Sequence, residues 1–240
     1  AGSDWSSDVC SSDLKKLMTT VLAASAVLAM SVNAMAAGSI TNAVDTNNVS
    51  ATQTSRKIVG EKEVLSTETV GVKLENVEAD TFEKDLQREV DILNDCDAET
   101  TLQAAFEEVY GADKVPVINV YDKDVNIVEE AILKDYKFLS RVMNLTIDAE
   151  PTEEEPVEVT FTVNNLTDKI EPFILHHCEE HGWEILETEA VEGADNQITA
   201  SFHSAGGPVA VVYRELPEEN GETDTDVVAP RSEERRVGKE

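Results

Sequence analysis

The sequence predicts an α+β protein, in which a small helix-containing N-terminal unit over about 61–134 is followed by an antiparallel β-sandwich over about 135–215. Two observations predict this class. Between 80 and 111, apolar residues recur at helical spacing. From Val157 onward, short apolar segments alternate with polar residues and are separated by turn signals at regular intervals, as in a sandwich.

Both ends of the chain resemble translated sequencing adapter. Residues 4–14 read DWSSDVCSSDL and residues 231–240 read RSEERRVGKE, and inverse copies of one short oligonucleotide can encode both. We therefore expect 1–14 and 231–240 to be assembly artefacts and exclude them from reasoning about the fold.

A secretory signal peptide is predicted over residues 15–36. Lys15-Lys16 supplies the positive start, an apolar run follows, and Ala34-Met35-Ala36 has the form of a cleavage site. The apolar run is too short and wrongly flanked for a stable membrane span. We expect the mature protein to begin near Ala37 and to be secreted.

The formal net charge is -30, and the two ends with the signal peptide contribute no net charge to it. Binding to a nucleic-acid backbone needs Lys and Arg to displace counterions, so this balance argues against a nucleic-acid partner. Such acidity suits an exported protein that resists association, or one that meets cations.

The first part of the mature chain predicts a leader and then an α+β unit. Residues 37–62 are rich in Ser, Thr, Asn and Ala, which predicts a disordered leader. Val64–Val77 alternates in part and indicates a strand. Phe82, Leu86, Val90 and Leu93 predict an amphipathic helix to about Asp95, and ETTLQAAFEEVYG predicts a second helix that stops at Gly111.

Strands dominate the rest of the chain. Alternating apolar residues predict them at the following ranges: 115–121, 125–128, 138–147, 157–163, 173–177, 183–185, 198–202 and 208–213. The segment 129–134 fits either a helical turn or a loop. An acidic, proline-bounded connector lies at 151–156, and 216–230 predicts an acidic linker.

The last strands resemble a module found at the C-terminal side of exported surface proteins of Gram-positive, gut Firmicutes-type bacteria. The shared features are Leu175-His176, the Trp183–Leu186 segment, an Ile198–Phe202 strand and a closing strand from Ser204 to Val212. Ala205-Gly206-Gly207 departs from the pattern, because family members have a shorter step before the proline.

This resemblance implies an immunoglobulin-like β-sandwich and an extracellular setting, and it implies no catalytic residue and no cofactor. In that family an acidic linker often leads to a cell-wall sorting signal or a membrane helix. We therefore expect an anchor beyond Pro230, which would make the protein cell-wall or membrane associated, with a surface or host partner that the sequence does not name.

HHCEEH, at 176–181, is the densest cluster of potential metal ligands. His177, Cys178, Glu180 and His181 could supply the four ligands that zinc takes, with His203 as an extra candidate. Consecutive strand residues point to opposite faces, however, so His176 and His177 cannot both face one ion. The spacing also matches neither Cys-x-x-Cys nor His-Glu-x-x-His. The sequence therefore favours a polar hairpin turn without a metal.

Other chemical patterns are weaker. Cys178 with His177 or His181 lacks an identifiable orienting residue for thiol catalysis. Asp122, Asp124 and Asn126 follow the start of a calcium loop, but Ile127 and Leu133 occupy the required Gly and Glu positions, which favours a turn. Export permits a disulfide between Cys96 and Cys178, and sequence alone does not decide it.

The sequence therefore predicts a non-enzymatic, exported cell-surface protein whose β-sandwich is a structural or adhesive module. The alternative is an extracellular ligand-binding module for a metal or a carbohydrate. Carbohydrate sites need exposed aromatic rings, and aromatic residues make up only 5% of this chain.

Overall fold

The computed structural model describes residues 43–59, 62–164 and 166–217. The predicted adapter segments 1–14 and 231–240, the signal peptide 15–36 and nearly all of the linker 216–230 lie outside the described residues. The predicted anchor lies beyond the sequence itself. Among the described helices, none is long and apolar enough to cross a membrane.

The described part of the chain is an α+β structure of two sheets and two helices. Its strands are β1 (Val44–Val59), β2 (Lys62–Val70), β3 (Val72–Asn76), β4 (Asn119–Tyr121), β5 (Ile127–Glu130), β6 (Tyr136–Phe138), β7 (Met143–Ile147), β8 (Val157–Val163), β9 (Ile170–Cys178), β10 (Gly182–Glu187), β11 (Glu189–Ala190), β12 (Gln197–Phe202) and β13 (Gly206–Glu215). The helices are α1 (Lys84–Asp95) and α2 (Leu102–Tyr110), and a 3-10 turn spans Leu133–Asp135.

The smaller sheet has five strands in the order β11-β12-β8-β1-β2, and the larger has eight, in the order β3-β7-β13-β9-β10-β4-β5 with β6 added beside β13. Every pairing is antiparallel except that of β10 with β4, which is parallel. The strands within 135–215 pair antiparallel as predicted, whereas β4 comes from the predicted N-terminal unit and reaches β10 through a long crossover instead of a hairpin.

The two sheets pack face to face across an apolar core. The smaller sheet contributes Val159, Phe161 and Phe202 to it, and the larger contributes Ile174 and Val211. These strands are exposed on one face or buried on both, as the alternation predicts. Strand β8 has the predicted bounds of 157–163. The space between the sheets is thus filled by side chains along most of its length.

The helices cover the other face of the larger sheet. Val90 of α1 and Phe106 of α2 pack with Phe173, Leu175 and Trp183 in a second core. Both predicted helices form, although α1 begins at Lys84 and leaves Phe82 just before it. Thr101 caps α2 by accepting a hydrogen bond from the amide of Ala104 (3.3 Å). The central strand β9 is consequently buried on both faces, which explains its continuous apolar run.

The expectation of a disordered leader over 37–62 is wrong for residues 44–59, which form β1. This strand pairs with β8 and β2, and only a few of its side chains, such as Val49 and Ala51, pack on the core. A strand with one face exposed to solvent needs few apolar residues. Its polar composition therefore led to the prediction of a disordered leader.

The predicted boundary between 134 and 135 does not separate two domains. Strand β3 pairs with β7 and β4 pairs with β10, so strands from both predicted units lie in the same larger sheet. Local periodicity carries no information on which distant strands pair, and this is why the sequence suggested a division.

Candidate metal centre

The β9–β10 hairpin places two potential ligands on the face that points at the smaller sheet. Its register pairs Cys178 with Gly182 and His176 with Glu184. Paired residues share a face and successive residues alternate, so Cys178 and Glu184 both point inward. By the same alternation His177 and Trp183 point to the helical layer.

Two histidines complete the group. His181 lies on the turn of the hairpin, and His203 follows the end of β12 in the smaller sheet. One ligand atom from each of Cys178, His181, Glu184 and His203 lies within 4.8 Å of every other. The larger sheet thus supplies three of these groups, and the smaller sheet supplies the fourth.

The spacing of these atoms is close to that of a metal-coordination shell, and the two histidine nitrogens are also at hydrogen-bond distance. His181 Nδ1 lies 3.2 Å from His203 Nε2, and Glu184 Oε2 lies 3.5 Å from His203 Nε2 and 3.9 Å from His181 Nδ1. Bonds from zinc to nitrogen or oxygen of about 2.0–2.2 Å in a tetrahedron place neighbouring ligand atoms roughly 3.3–3.6 Å apart. An ion would fit among these atoms with small movements.

Glu184 is the most unusual member of the group. Its side chain is 1% exposed, and neither carboxylate oxygen has a hydrogen-bond partner in the described structure. Burial raises the pKa of this carboxyl from 4.5 to about 8, an effect opposed by His203 and assisted by Cys178. A buried carboxylate without a partner is costly, and a bound cation would remove that cost.

The loop that carries His203 is fixed by a buried neutral histidine. His176 Nδ1 lies 3.1 Å from the carbonyl oxygen of Pro208, so it donates there, and Nε2 then accepts from the Ser204 hydroxyl at 2.7 Å. Burial lowers the pKa of His176 from 6.5 to about 3. His176 therefore acts as an uncharged support beside the site.

Gly206 and Gly207 shape the same loop. Their φ angles are 116° and 124°, in the region that favours glycine. A Cβ atom at Gly206 would collide with the carbonyl oxygen of Leu145. The Ala205-Gly206-Gly207 step is thus what lets β13 start close to β7 directly after the loop that carries His203.

An acidic groove of about 1060 Å³ lies beside the candidate centre. Cys178 and His203 lie on its wall, and five carboxylate residues also line it: Glu83, Glu153, Glu154, Glu179 and Glu180. Carboxylates of one sign around a cleft raise the local concentration of cations. On the turn side, the ring of Tyr121 packs 6.2 Å from that of His181 and 5.5 Å from that of His203.

The candidate ligands of the sequence analysis divide into two groups. Cys178, His181 and His203 meet, whereas His177 lies on the opposite face, with its ring 5.2 Å from that of Trp183. Glu180 is not in the group. The sequence analysis missed Glu184 because this residue lies past the turn. The Cys-x-x-His-x-x-Glu spacing, and the rule that alternate residues of paired strands share a face, could have indicated it.

The other patterns have structural explanations. Asp122 Oδ1 accepts hydrogen bonds from the backbone amides of Asp124 (3.0 Å) and Asn126 (2.9 Å), so the calcium-like segment is a hydrogen-bonded turn. Cys96 and Cys178 are both free thiols. Comparisons of the chain with family models, with curated proteins and with solved structures found no match.

Proposed function

We propose that this protein binds one divalent transition-metal ion, with zinc as the best fit, through Cys178, His181, Glu184 and His203. The observation that carries the proposal is the Glu184 carboxylate, which is buried and unpartnered at coordination distance from two imidazoles. A carboxyl group buried without a hydrogen bond is unsatisfied in the metal-free fold, and a cation coordinated by its oxygens would satisfy it.

The donor set selects the class of ion. One sulfur, two nitrogens and one oxygen in a compact group match the ligands and the tetrahedral geometry of zinc. Calcium and magnesium require six or more oxygen ligands or near-octahedral geometry with several waters, which this group does not supply. Copper(II) binds such ligands more tightly than zinc but favours tetragonal geometry.

The ion would be structural, since its ligands come from both sheets. The proposed setting is the exported cell surface, supported by the signal-peptide pattern and by the resemblance to surface modules. In that setting a metal-clamped β-sandwich of immunoglobulin-like form would serve as a non-enzymatic structural or adhesive module, for which a metal ion adds stability without a disulfide.

Calorimetric titration of the chelator-treated chain with Zn²⁺ tests the proposal. We expect one ion per chain, strong loss of binding in Cys178→Ser and His203→Ala, and unchanged binding in His177→Ala. His177→Ala is the matched control because His177 lies in the same hairpin on the opposite face. Absence of zinc binding by the parent chain, or equal losses in all three variants, would refute the metal centre.

A further inference from the structure

We propose that His181 is an exchangeable ligand, and that the bound metal accepts an external imidazole in its place. This inference rests on the proposed metal function. It assigns to the centre a second property, the binding of a planar nitrogen donor from outside the protein. Three features of the site lead to it: the unequal anchoring of the four ligands, the position of Tyr121 and the charge of the rim.

Three of the four ligands are held inside the structure. Cys178 and Glu184 lie in paired strands of the larger sheet and are 2% and 1% exposed. His203 directly follows β12, and its side chain is 4% exposed. Moving any of these groups away from an ion would require moving a strand end and exposing core residues.

His181 is held much less firmly. It lies on the turn between β9 and β10, and its side chain is 35% exposed. Within the described structure, the polar contacts of the His181 ring are those that Nδ1 makes with His203 and Glu184, which are two of the other proposed ligands. Metal-bound histidines are commonly oriented by a hydrogen bond from the second ring nitrogen to another group, and His181 shows no such partner among the described residues.

The His181 side chain has room to rotate without a change in the paired strands. Gly182 next to His181 has φ of 74°, and a Cβ there would meet nothing within 4 Å, so this corner is open to solvent. Rotation of the His181 side chain would leave Cys178, Glu184 and His203 in place. Three protein ligands with a fourth, open position is the arrangement in which zinc binds external ligands.

The surroundings select the chemistry of the incoming group. The Tyr121 ring lies at 28° to that of His181 with 6.2 Å between centroids, so a flat ring that replaced His181 would stack on the same surface. Glu179 and Glu180 on the same turn disfavour anionic ligands. Imidazole is flat, uncharged and a good nitrogen donor to zinc, and thus fits the position best.

The experiment uses the chain loaded with Co²⁺, whose visible absorption reports the ligands around the ion. In the parent, an external imidazole replaces one imidazole by another and should leave the visible spectrum nearly unchanged, so release of the His181 ring is followed by proton NMR as the saturable loss of its cobalt-shifted ring signals. His181→Gly should bind Co²⁺ more weakly, and imidazole should restore a spectrum close to that of the parent. His203→Gly is the matched control, because its position is buried and imidazole should not restore it.

Two sources of the imidazole group can be separated by adding short glycine peptides that contain one internal histidine or one alanine. Restoration of the His181→Gly spectrum by the histidine peptide as well as by imidazole extends the ligand to side chains of a partner, while restoration by imidazole alone limits it to small molecules. Either result supports the exchange.

The exchange is refuted if imidazole leaves the cobalt-shifted His181 ring signals of the parent unchanged, or if it fails to restore the visible spectrum of His181→Gly. If the parent chain binds neither Co²⁺ nor Zn²⁺, the metal function itself fails. Thermal unfolding of the metal-free variants establishes that each one is folded, so loss of the fold cannot be mistaken for loss of the ligand position.

Discussion

The ionised form of Glu184 would bind a metal ion, but the same ionisation lowers the stability of the metal-free fold. Its folded pKa of about 8 lies above the ordinary 4.5 because of burial. Between these values the folded metal-free protein holds a proton that the unfolded chain has released. The contribution of this group to stability is therefore full below pH 4.5 and is lost as the pH rises to about 8.

Glu184→Gln should remove that loss. The amide keeps the shape of the carboxyl without its charge, so at pH 9 the metal-free variant should exceed the metal-free parent by about 1–3 kcal/mol in the free energy of unfolding. At pH 4 the difference should be much smaller, and the variant should lose zinc binding. Urea unfolding with chelator at both pH values measures this, and parallel pH profiles would contradict the raised pKa.

His176 should make the acid side of the stability profile steep. Its folded pKa of about 3 lies below the ordinary 6.5, so the unfolded chain takes up a proton first as the pH falls. Stability from this group is present above pH 6.5 and is lost between 6.5 and 3. His176→Gln should flatten that slope in urea unfolding of the metal-free chain, whatever its effect at pH 7. An unchanged slope would show that the pKa of His176 is not lowered in the fold.

At the level of elements, the start of β13 controls the ligand loop. Gly206→Ala combines an unfavourable φ with a collision against Leu145, so it should destabilise the protein by about 2–4 kcal/mol and weaken zinc binding by displacing His203. Gly193→Ala is the matched control, since its φ is 79° but its Cβ would meet nothing within 4 Å.

The control should cost only about 1–2 kcal/mol, from its backbone conformation, and leave zinc affinity unchanged. Urea unfolding and zinc titration of both variants separate the two effects. Equal zinc affinities in Gly206→Ala and the parent would show that the position of His203 does not depend on this loop.

Local elements were predictable from the sequence because their signals are local. The alternation of Val157–Val163 and the helical spacing from Phe82 to Leu93 depend on neighbouring residues alone, and both elements formed. Strand β1 was not predicted, because its stability comes from β8 and β2 on either side, and not from its own apolar content.

The candidate metal centre was predictable only in part for the same reason. Cys178 and His181 are close in sequence, and Glu184 becomes their neighbour only through the hairpin register. His203 reaches them from the other sheet, across the core. The packing of one sheet on another leaves no periodic pattern in a single sequence. The sequence therefore indicated candidate ligands but not which of them meet in space.

At the scale of the whole molecule, the centre links the two sheets at one end of their shared core. The larger sheet provides Cys178, His181 and Glu184, and the smaller sheet provides His203. Separation of the sheets would break the coordination, so an ion binds the folded state in preference to the unfolded one. Free zinc at 100 times its dissociation constant should then stabilise the chain by about 2.7 kcal/mol.

Zinc should consequently slow amide hydrogen exchange on both sides of this end of the core. We expect slower exchange at the end of β9, in β10 and at the end of β12, with little change in α1 and α2 on the opposite face of the larger sheet. His177→Ala should retain the effect and His203→Ala should lose it. Protection confined to the β9–β10 hairpin would contradict the clamp, because an ion held by one sheet alone cannot resist the separation of two.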